Sequence, residues 1–281
     1  MSLRYLNVIW LIHFFSLIGN TQDLDVQINS IQLGEDSVQL KIYEKPGEIL
    51  TYIHVHENET ASLEAGLDIL KKHGGKLVTL SHSFDGSVNR NISFRYENTS
   101  YQFDPNRIYT DNDTILLNSI KILKGNRKVD DIVLRMVRNL ANQIWKEISS
   151  YALIVALHNN KNTPEKYTTK WLFWKKYEPE SYNITSYVKK CDHSTDSNKS
   201  CSDIYINPSI NNSEFFVVTE RRDFSSFYKK RFSVVLQNED PVDDGSMSVF
   251  ALKNKKRYIN AEAKHGRVDQ QKAMLELIHQ F

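Results

Sequence analysis

Short apolar stretches alternate along the chain with longer amphipathic ones, and the two repeat periods assign most segments. Val26 to Ile31 and Ser37 to Tyr43 alternate apolar and polar residues, as strands with one buried face do. Ile49 to Val55 is apolar and β-branched, and it reads as a third strand. In Thr60 to His73, Leu63, Leu67 and Leu70 recur at helical spacing and Gly74-Gly75 follows, which predicts a helix with a glycine stop. Lys76 to Leu80 predicts a short strand, and Asn91 to Phe103 reads as strand, turn, strand with Asn98 near the turn. Val133, Met136, Val137, Leu140, Ile144 and Ile148 form one stripe of a long helix from about Val129 to Ser149, a stripe that core packing explains. Tyr151 to Leu157 is a nearly continuous apolar run, which suits a strand buried on both faces.

Between Asn159 and Asn212 the periodicity is poor, although the segment holds Trp171 and Trp174, and it reads as an elaborated loop region. Regular structure resumes with Phe215 to Thr219 and a short helix near Asp223 to Lys230. Strands are predicted at Phe232 to Gln237, Met247 to Leu252 and Arg257 to Ala263, before a terminal helix. Alternating strands and helices define an α/β fold with a mixed, mostly parallel sheet flanked by helices. No repeat or low-complexity linker divides residues 22–281, so one domain is expected.

The N-terminus adds a compartment. Arg4 leads into the apolar run Tyr5 to Ile18, shorter than the roughly 20 residues of a spanning helix, and small residues follow. A signal peptide over residues 1–21 with cleavage before Gln22 is expected, giving an exported protein with no membrane span in its mature form. Cys191 and Cys201, the only cysteines, would then pair as a local disulfide; a zinc site with His193 has too few ligands around it. Asn-x-Ser/Thr triplets such as that at Asn58 reflect an Asn-rich composition. With 36 basic and 34 acidic residues and no long single-sign run, the chain lacks the footprint of a nucleic-acid binder.

Candidate chemistry begins where the third strand ends. His56 and Glu59 offer an imidazole and a carboxylate spaced i, i+3, and His54 and Glu57 offer the same spacing, so spacing alone leaves the register open. Catalytic zinc takes three ligands from His and Asp/Glu and keeps a position for water. The third ligand is expected to be His158, which ends the buried strand Tyr151 to Leu157, because functional groups of open α/β sheets gather at the carboxyl ends of strands. Asp104-Pro105-Asn106-Arg107 adds an amide donor and a planar guanidinium fork suited to a carboxylate. Asp243-Asp244-Gly245 reads as a turn, and Trp171 and Trp174 as packing.

These motifs support a family resemblance. His56-Glu57-Asn58-Glu59-Thr60 resembles the His-Gly-Asn-Glu-Thr of succinylglutamate desuccinylases and aspartoacylases, and Asp104-Pro105-Asn106-Arg107 resembles their Asp-Leu-Asn-Arg. Those families belong with the zinc carboxypeptidases, whose motif order is met here by His56 and Glu59, Asn106 and Arg107, His158, and late in the chain Glu262. The resemblance selects the register of His56 and Glu59, and it implies one Zn2+ ion held by His56, Glu59 and His158. It further implies Glu262 as general base toward a metal-activated water, and Asn106 and Arg107 as the clamp on a substrate carboxylate. Arg90 would stabilise the oxyanion, with Arg95 competing for that role. The arginine that desuccinylases carry just before Asp-Leu-Asn-Arg is absent, Thr99 and Ser100 standing near its place. The expected activity is zinc-dependent hydrolysis of an amide bond in a peptide with a free carboxylate. The alternatives are deacylation of an N-acyl amino acid and a binding protein without turnover.

Overall fold

The computed structural model describes residues 24–160, 168–170, 174–176, 182–191 and 200–281. The expected signal peptide, Trp171 and His193 lie outside the described residues, as does the side chain of Trp174. In chain order the elements begin with β1 (Asp25–Leu33), β2 (Asp36–Lys45), β3 (Leu50–His54), α1 (Thr60–His73) and β4 (Gly75–Ser81). They continue with β5 (Ile92–Tyr96), β6 (Thr99–Phe103), α2 (Asp113–Ser119), β7 (Ile120–Lys124), α3 (Asp131–Ile148) and β8 (Leu153–Asn160). β9 (Thr168–Lys170) and β10 (Trp174–Lys176) form a small antiparallel pair, and β11 is Cys201–Tyr205. Then come β12 (Phe215–Val218), α4 (Arg221–Lys229), β13 (Val234–Gln237), α5 (Met247–Lys253), β14 (Arg257–Lys264) and α6 (Val268–Ile278).

One large mixed sheet carries the fold, in the order β1-β2-β4-β3-β8-β14-β12-β13-β11. It is parallel through its middle, β4 to β3 to β8 to β14; β2 and β1 are added antiparallel on one side, and on the other β12 pairs antiparallel with β14, β13 lies parallel to β12, and β11 closes the edge antiparallel to β13. Helices cover both faces. On one side α3 packs Val133, Val137, Leu140 and Ile144 against the sheet, together with α5 and the small sheet β5-β6-β7. On the other, Ala65 and Ile69 of α1, Phe224 and Phe227 of α4, and Met274 and Leu275 of α6 bury the second apolar layer. Strands buried on both faces are what their sequence asked for: every residue of β3 and β8 is buried. In α1 the one glycine, Gly66, lets the helix approach the sheet, since a Cβ there would lie 2.4 Å from Leu157 Cδ1.

The Asn91 to Phe103 hairpin turns at Glu97 and Asn98, which take φ of 47° and 58°, the left-handed pair of a tight two-residue turn. Met247 to Leu252, expected as a strand, is instead the helix α5. Its apolar run is too short for period to decide. Met247 and Ala251, one helical turn apart, enter the core beside Tyr258, and the turn ending at Ser246 starts the helix. The expected loop region also holds β11 and a 3-10 turn at Ile184–Tyr187. Among the described residues no helix is long and apolar enough to cross a membrane.

Candidate functional site

The parallel strands β3, β8 and β14 end side by side, and the sequence motifs meet there. Just past β3 the chain closes a turn in which the Glu59 amide donates to the His56 carbonyl at 2.9 Å, so that the two side chains, three residues apart, meet. His56 Nδ1 lies 2.9 Å from Glu59 Oε1. Glu59 also occupies the position before α1, where a side chain ordinarily caps the helix, yet its carboxylate makes no capping bond. Asn159 caps the helix in its place, its Oδ1 accepting from the Ser62 amide at 2.9 Å while its own backbone N–H donates to Glu59 Oε2 at 2.9 Å. The residue at the cap position has been freed for the site by a neighbour from β8.

β8 delivers His158, whose Nδ1 lies 3.1 Å from Glu59 Oε2 and 3.2 Å from His56 Nδ1. One strand over, β14 pairs in parallel register so that Glu262 sits directly beside His158. Residues in register on parallel neighbours project to the same face, which aims Glu262 at the same space. All four are buried.

His56 Nε2 lies 2.8 Å from Asp104 Oδ1, and because a carboxylate can only accept, that nitrogen carries a proton; in the neutral ring this leaves Nδ1, the nitrogen facing Glu59 and His158, as the one free to bind a metal. Two imidazole nitrogens and a carboxylate oxygen, all acceptors in their neutral and anionic forms, converge with donor atoms within 4.8 Å of one another. In that form the set needs positive charge among its members, which protons on the rings or a bound ion supply, and two imidazoles with one carboxylate suit a zinc-like ion. The donor chemistry therefore fits the metal that the motifs imply. Burial pulls the His56 pKa down, but Glu59 and Asp104 outweigh it and hold it raised. Glu59 is opposed by burial yet kept well below the usual carboxylate range by the two imidazoles. Glu262 is pushed the other way, first by burial and then by the Glu59 charge, with His158 opposing. Its partner is Asn260, whose Nδ2 donates to Oε1 at 3.0 Å.

A cavity of about 770 Å³ opens over these groups, with Glu59, Arg90, Asn106, Arg107, His158 and Glu262 on its wall. Arg90 is half exposed, donates to Glu59 Oε1 and lies 3.5 Å from Asp104 Oδ2. Its rival Arg95 is bound to Asp36 on the outer strands at 3.0 Å and takes no part. Arg107 pairs with Asp244, and Asn106 Oδ1 accepts from the Met247 amide at 3.3 Å. Gly245, with φ of 74° and the Arg107 carbonyl 2.6 Å from where a Cβ would stand, makes Asp243-Asp244-Gly245 the tight turn expected of it. The second His-Glu pair is used elsewhere. His54 is bonded to Thr79 Oγ1 at 2.8 Å and to the Glu59 carbonyl at 3.1 Å, and burial lowers its pKa to about 4. Glu57 accepts from the amides of His82 and Ser83.

Sequence reasoning missed Asp104 as the partner of His56, Asn159 as the substitute cap, and the wall built by Tyr182, Tyr187 and Lys190. Asp104 opens the Asp-Pro-Asn-Arg motif and Asn159 lies in the polar turn that ends β8, but neither role has a spacing signal. The wall segment is pinned by the disulfide Cys191–Cys201.

The fold and this cluster define an α/β protein with a candidate His-Glu-His metal centre at the carboxyl ends of its parallel strands. No family model matches the chain, and no curated protein matches it. Among solved structures it is similar to the crystal structure of an aspartoacylase family protein from Mesorhizobium loti, at 10% sequence identity and a TM-score of 0.39. The match covers 92% of this chain and 66% of that one, so the chain spans just under two thirds of its neighbour's length.

Proposed function

We propose that the chain is a zinc-dependent hydrolase that cleaves an amide bond next to a free carboxylate, with small peptides as its substrates. The observation that carries the reading is the buried meeting of His56, Glu59 and His158, with Glu262 in register one strand away. Zinc held by His56, Glu59 and His158 supplies a Lewis acid for the scissile carbonyl and makes water a nucleophile near neutral pH.

The chain's own residues do the rest. Glu262, raised by burial and by Glu59, is a carboxylate basic enough to take the proton of the attacking water and return it to the leaving amine. Arg90, half exposed at the cavity mouth, offers N–H donors to the oxygen on which charge develops. Arg107 keeps donors beyond those engaged by Asp244, and with Asn106 it fixes the substrate carboxylate and so the distance between carbonyl and base. We also infer export; the disulfide Cys191–Cys201 supports it, because such bonds persist in oxidising compartments.

Elemental analysis comes first. About one zinc per chain at this centre, lost in His56→Ala and His158→Ala, is the expected result, and metal content unchanged by either substitution overturns the ligand assignment. A peptide with a free C-terminus is then compared with its amide and with small N-acyl amino acids. Cleavage of the free peptide alone supports the reading, preference for N-acyl amino acids makes the chain a deacylase, and binding without turnover makes it a ligand-binding protein. Glu262→Gln is expected to keep zinc and lose at least about a hundredfold in rate.

A further inference from the structure

We propose a second transition-metal site, formed by Glu48, His73 and His279 at the opposite end of the sheet from the candidate centre. The two lie at opposite ends of β3: Glu48 stands two residues before it, and His56 two residues after. Three elements converge there. Glu48 belongs to the β2–β3 turn, His73 is the last residue of α1, and His279 follows α6.

The two imidazoles are held against each other. Their rings stack nearly parallel, 3.9 Å between centroids and 9° between planes. Each has its Nε2 already engaged: His73 Nε2 lies 3.0 Å from Glu276 Oε2, and His279 Nε2 lies 2.6 Å from the Tyr52 hydroxyl. Both Nδ1 atoms are left near one oxygen, Glu48 Oε1, at 3.9 Å for His73 and 3.0 Å for His279. His279 is 3% exposed, and its Nδ1 has no polar partner beyond the ion-pair contact with the Glu48 oxygen. A buried ring nitrogen whose polar neighbour is a carboxylate oxygen, with a second imidazole nitrogen turned to the same oxygen, makes a place that a cation completes. The donor atoms of the three residues lie within 4.8 Å of one another.

The outer partners follow the logic that Asp104 follows at the first site, where a carboxylate on the far nitrogen turns the near one inward. Glu276 plays that part for His73 and is itself bound by Lys72 at 2.7 Å. Two nitrogens and one carboxylate oxygen select a zinc-class ion over calcium or magnesium, which prefer all-oxygen sites. Glu48 is about half exposed, so water can fill the remaining position. An ion there ties the end of α6 to the end of α1 and to the β2–β3 turn, which makes it a structural clamp rather than a centre for turnover.

The test uses the full chain with zinc as the probe, measured by equilibrium dialysis and elemental analysis. The wild type is expected to hold about two zinc ions per chain, and the His56→Ala/His158→Ala variant about one. Glu48→Gln, at an exposed turn position where folding is not at stake, and His73→Gln are each expected to remove one ion from the wild type and the last ion from the double variant. Added zinc should also raise the unfolding temperature of the double variant, and Glu48→Gln should abolish that rise. Zinc content and zinc-dependent unfolding left unchanged by both Glu48→Gln and His73→Gln overturn the proposal. Because the readouts are taken with the first centre removed, the result stands independently of the hydrolase reading.

Discussion

Asp104→Ala puts the orientation of His56 to a quantitative test. The Asp104 carboxylate lies 2.8 Å from His56 Nε2, accepts the Asn106 amide at 2.8 Å, and has Arg90 at 3.5 Å. His56 is wholly buried behind Asp104, and water entering from the cavity in its place carries no charge to hold the proton on the outer nitrogen. The ring is then free to carry its proton on Nδ1, the nitrogen that faces Glu59 and His158, and metal binding must first reverse that tautomer. Partners of this kind are typically worth tenfold to a hundredfold in metal affinity, or about 1.4 to 2.7 kcal/mol. Asp104 is partly exposed and shared with Arg90, so Asp104→Asn, which keeps an acceptor oxygen, belongs at the lower end and Asp104→Ala at the upper. Zinc affinity is read by competition with a chromophoric chelator at fixed pH and salt, and thermal unfolding of the metal-stripped variants shows that the fold is intact. Affinity within twofold of wild type in a folded Asp104→Ala protein would refute the argument that the carboxylate sets the His56 tautomer.

His54 supplies a pH signature and the disulfide a redox one. Burial depresses the His54 pKa in the folded state to about 4, so below pH 6.5 the unfolded chain takes up a proton that the native chain refuses. Stability owed to His54 is therefore complete above pH 6.5 and lost between there and pH 4, by about 3 kcal/mol. Denaturant titrations of metal-stripped protein should show a flatter pH slope in His54→Gln, and an identical slope would exclude His54 as its source. Reducing Cys191–Cys201, ten residues apart in sequence, is expected to cost at most about 3 kcal/mol. Because the disulfide anchors the segment carrying Tyr182, Tyr187 and Lys190, its loss should raise KM for a cleaved peptide more than it lowers kcat. A change in kcat alone would count against that segment as a binding wall.

How far the fold could be read in advance depended on where each segment lies in the sheet. β3 and β8 are buried on both faces and announce themselves as apolar runs, and α1 and α3 as stripes, because burial writes period directly into sequence. β7 buries only its first residue, and so carries no period to read. α5 misled because six apolar-rich residues fit either a strand or one and a half turns of helix, and the choice was made by packing of Met247 and Ala251 against distant residues. At the candidate site the same division holds. His56 and Glu59 are linked by a local turn, and a three-residue spacing makes that visible. His158 could be guessed from its place at a strand end. The register that sets Glu262 beside it joins residues about a hundred positions apart, and only the order of motifs hinted at it. The role of Asp104 toward His56 is wholly tertiary.

The place of β14 has a consequence for how the chain must be made. It comes last in chain order among the strands of the large sheet, yet it inserts between β8 and β12, in the middle of the sheet. The segments before it therefore cannot close into their final order until it has been made, and the apolar residues of β8 must wait for Tyr258 to Ala263 before that edge is covered. Until β14 is in place the β8 edge is open to pairing with other chains. The same order means that Glu262 and His158, the proposed base and ligand, become neighbours only when β14 pairs with β8, so that a chain cut short before β14 carries the proposed ligands without the proposed base.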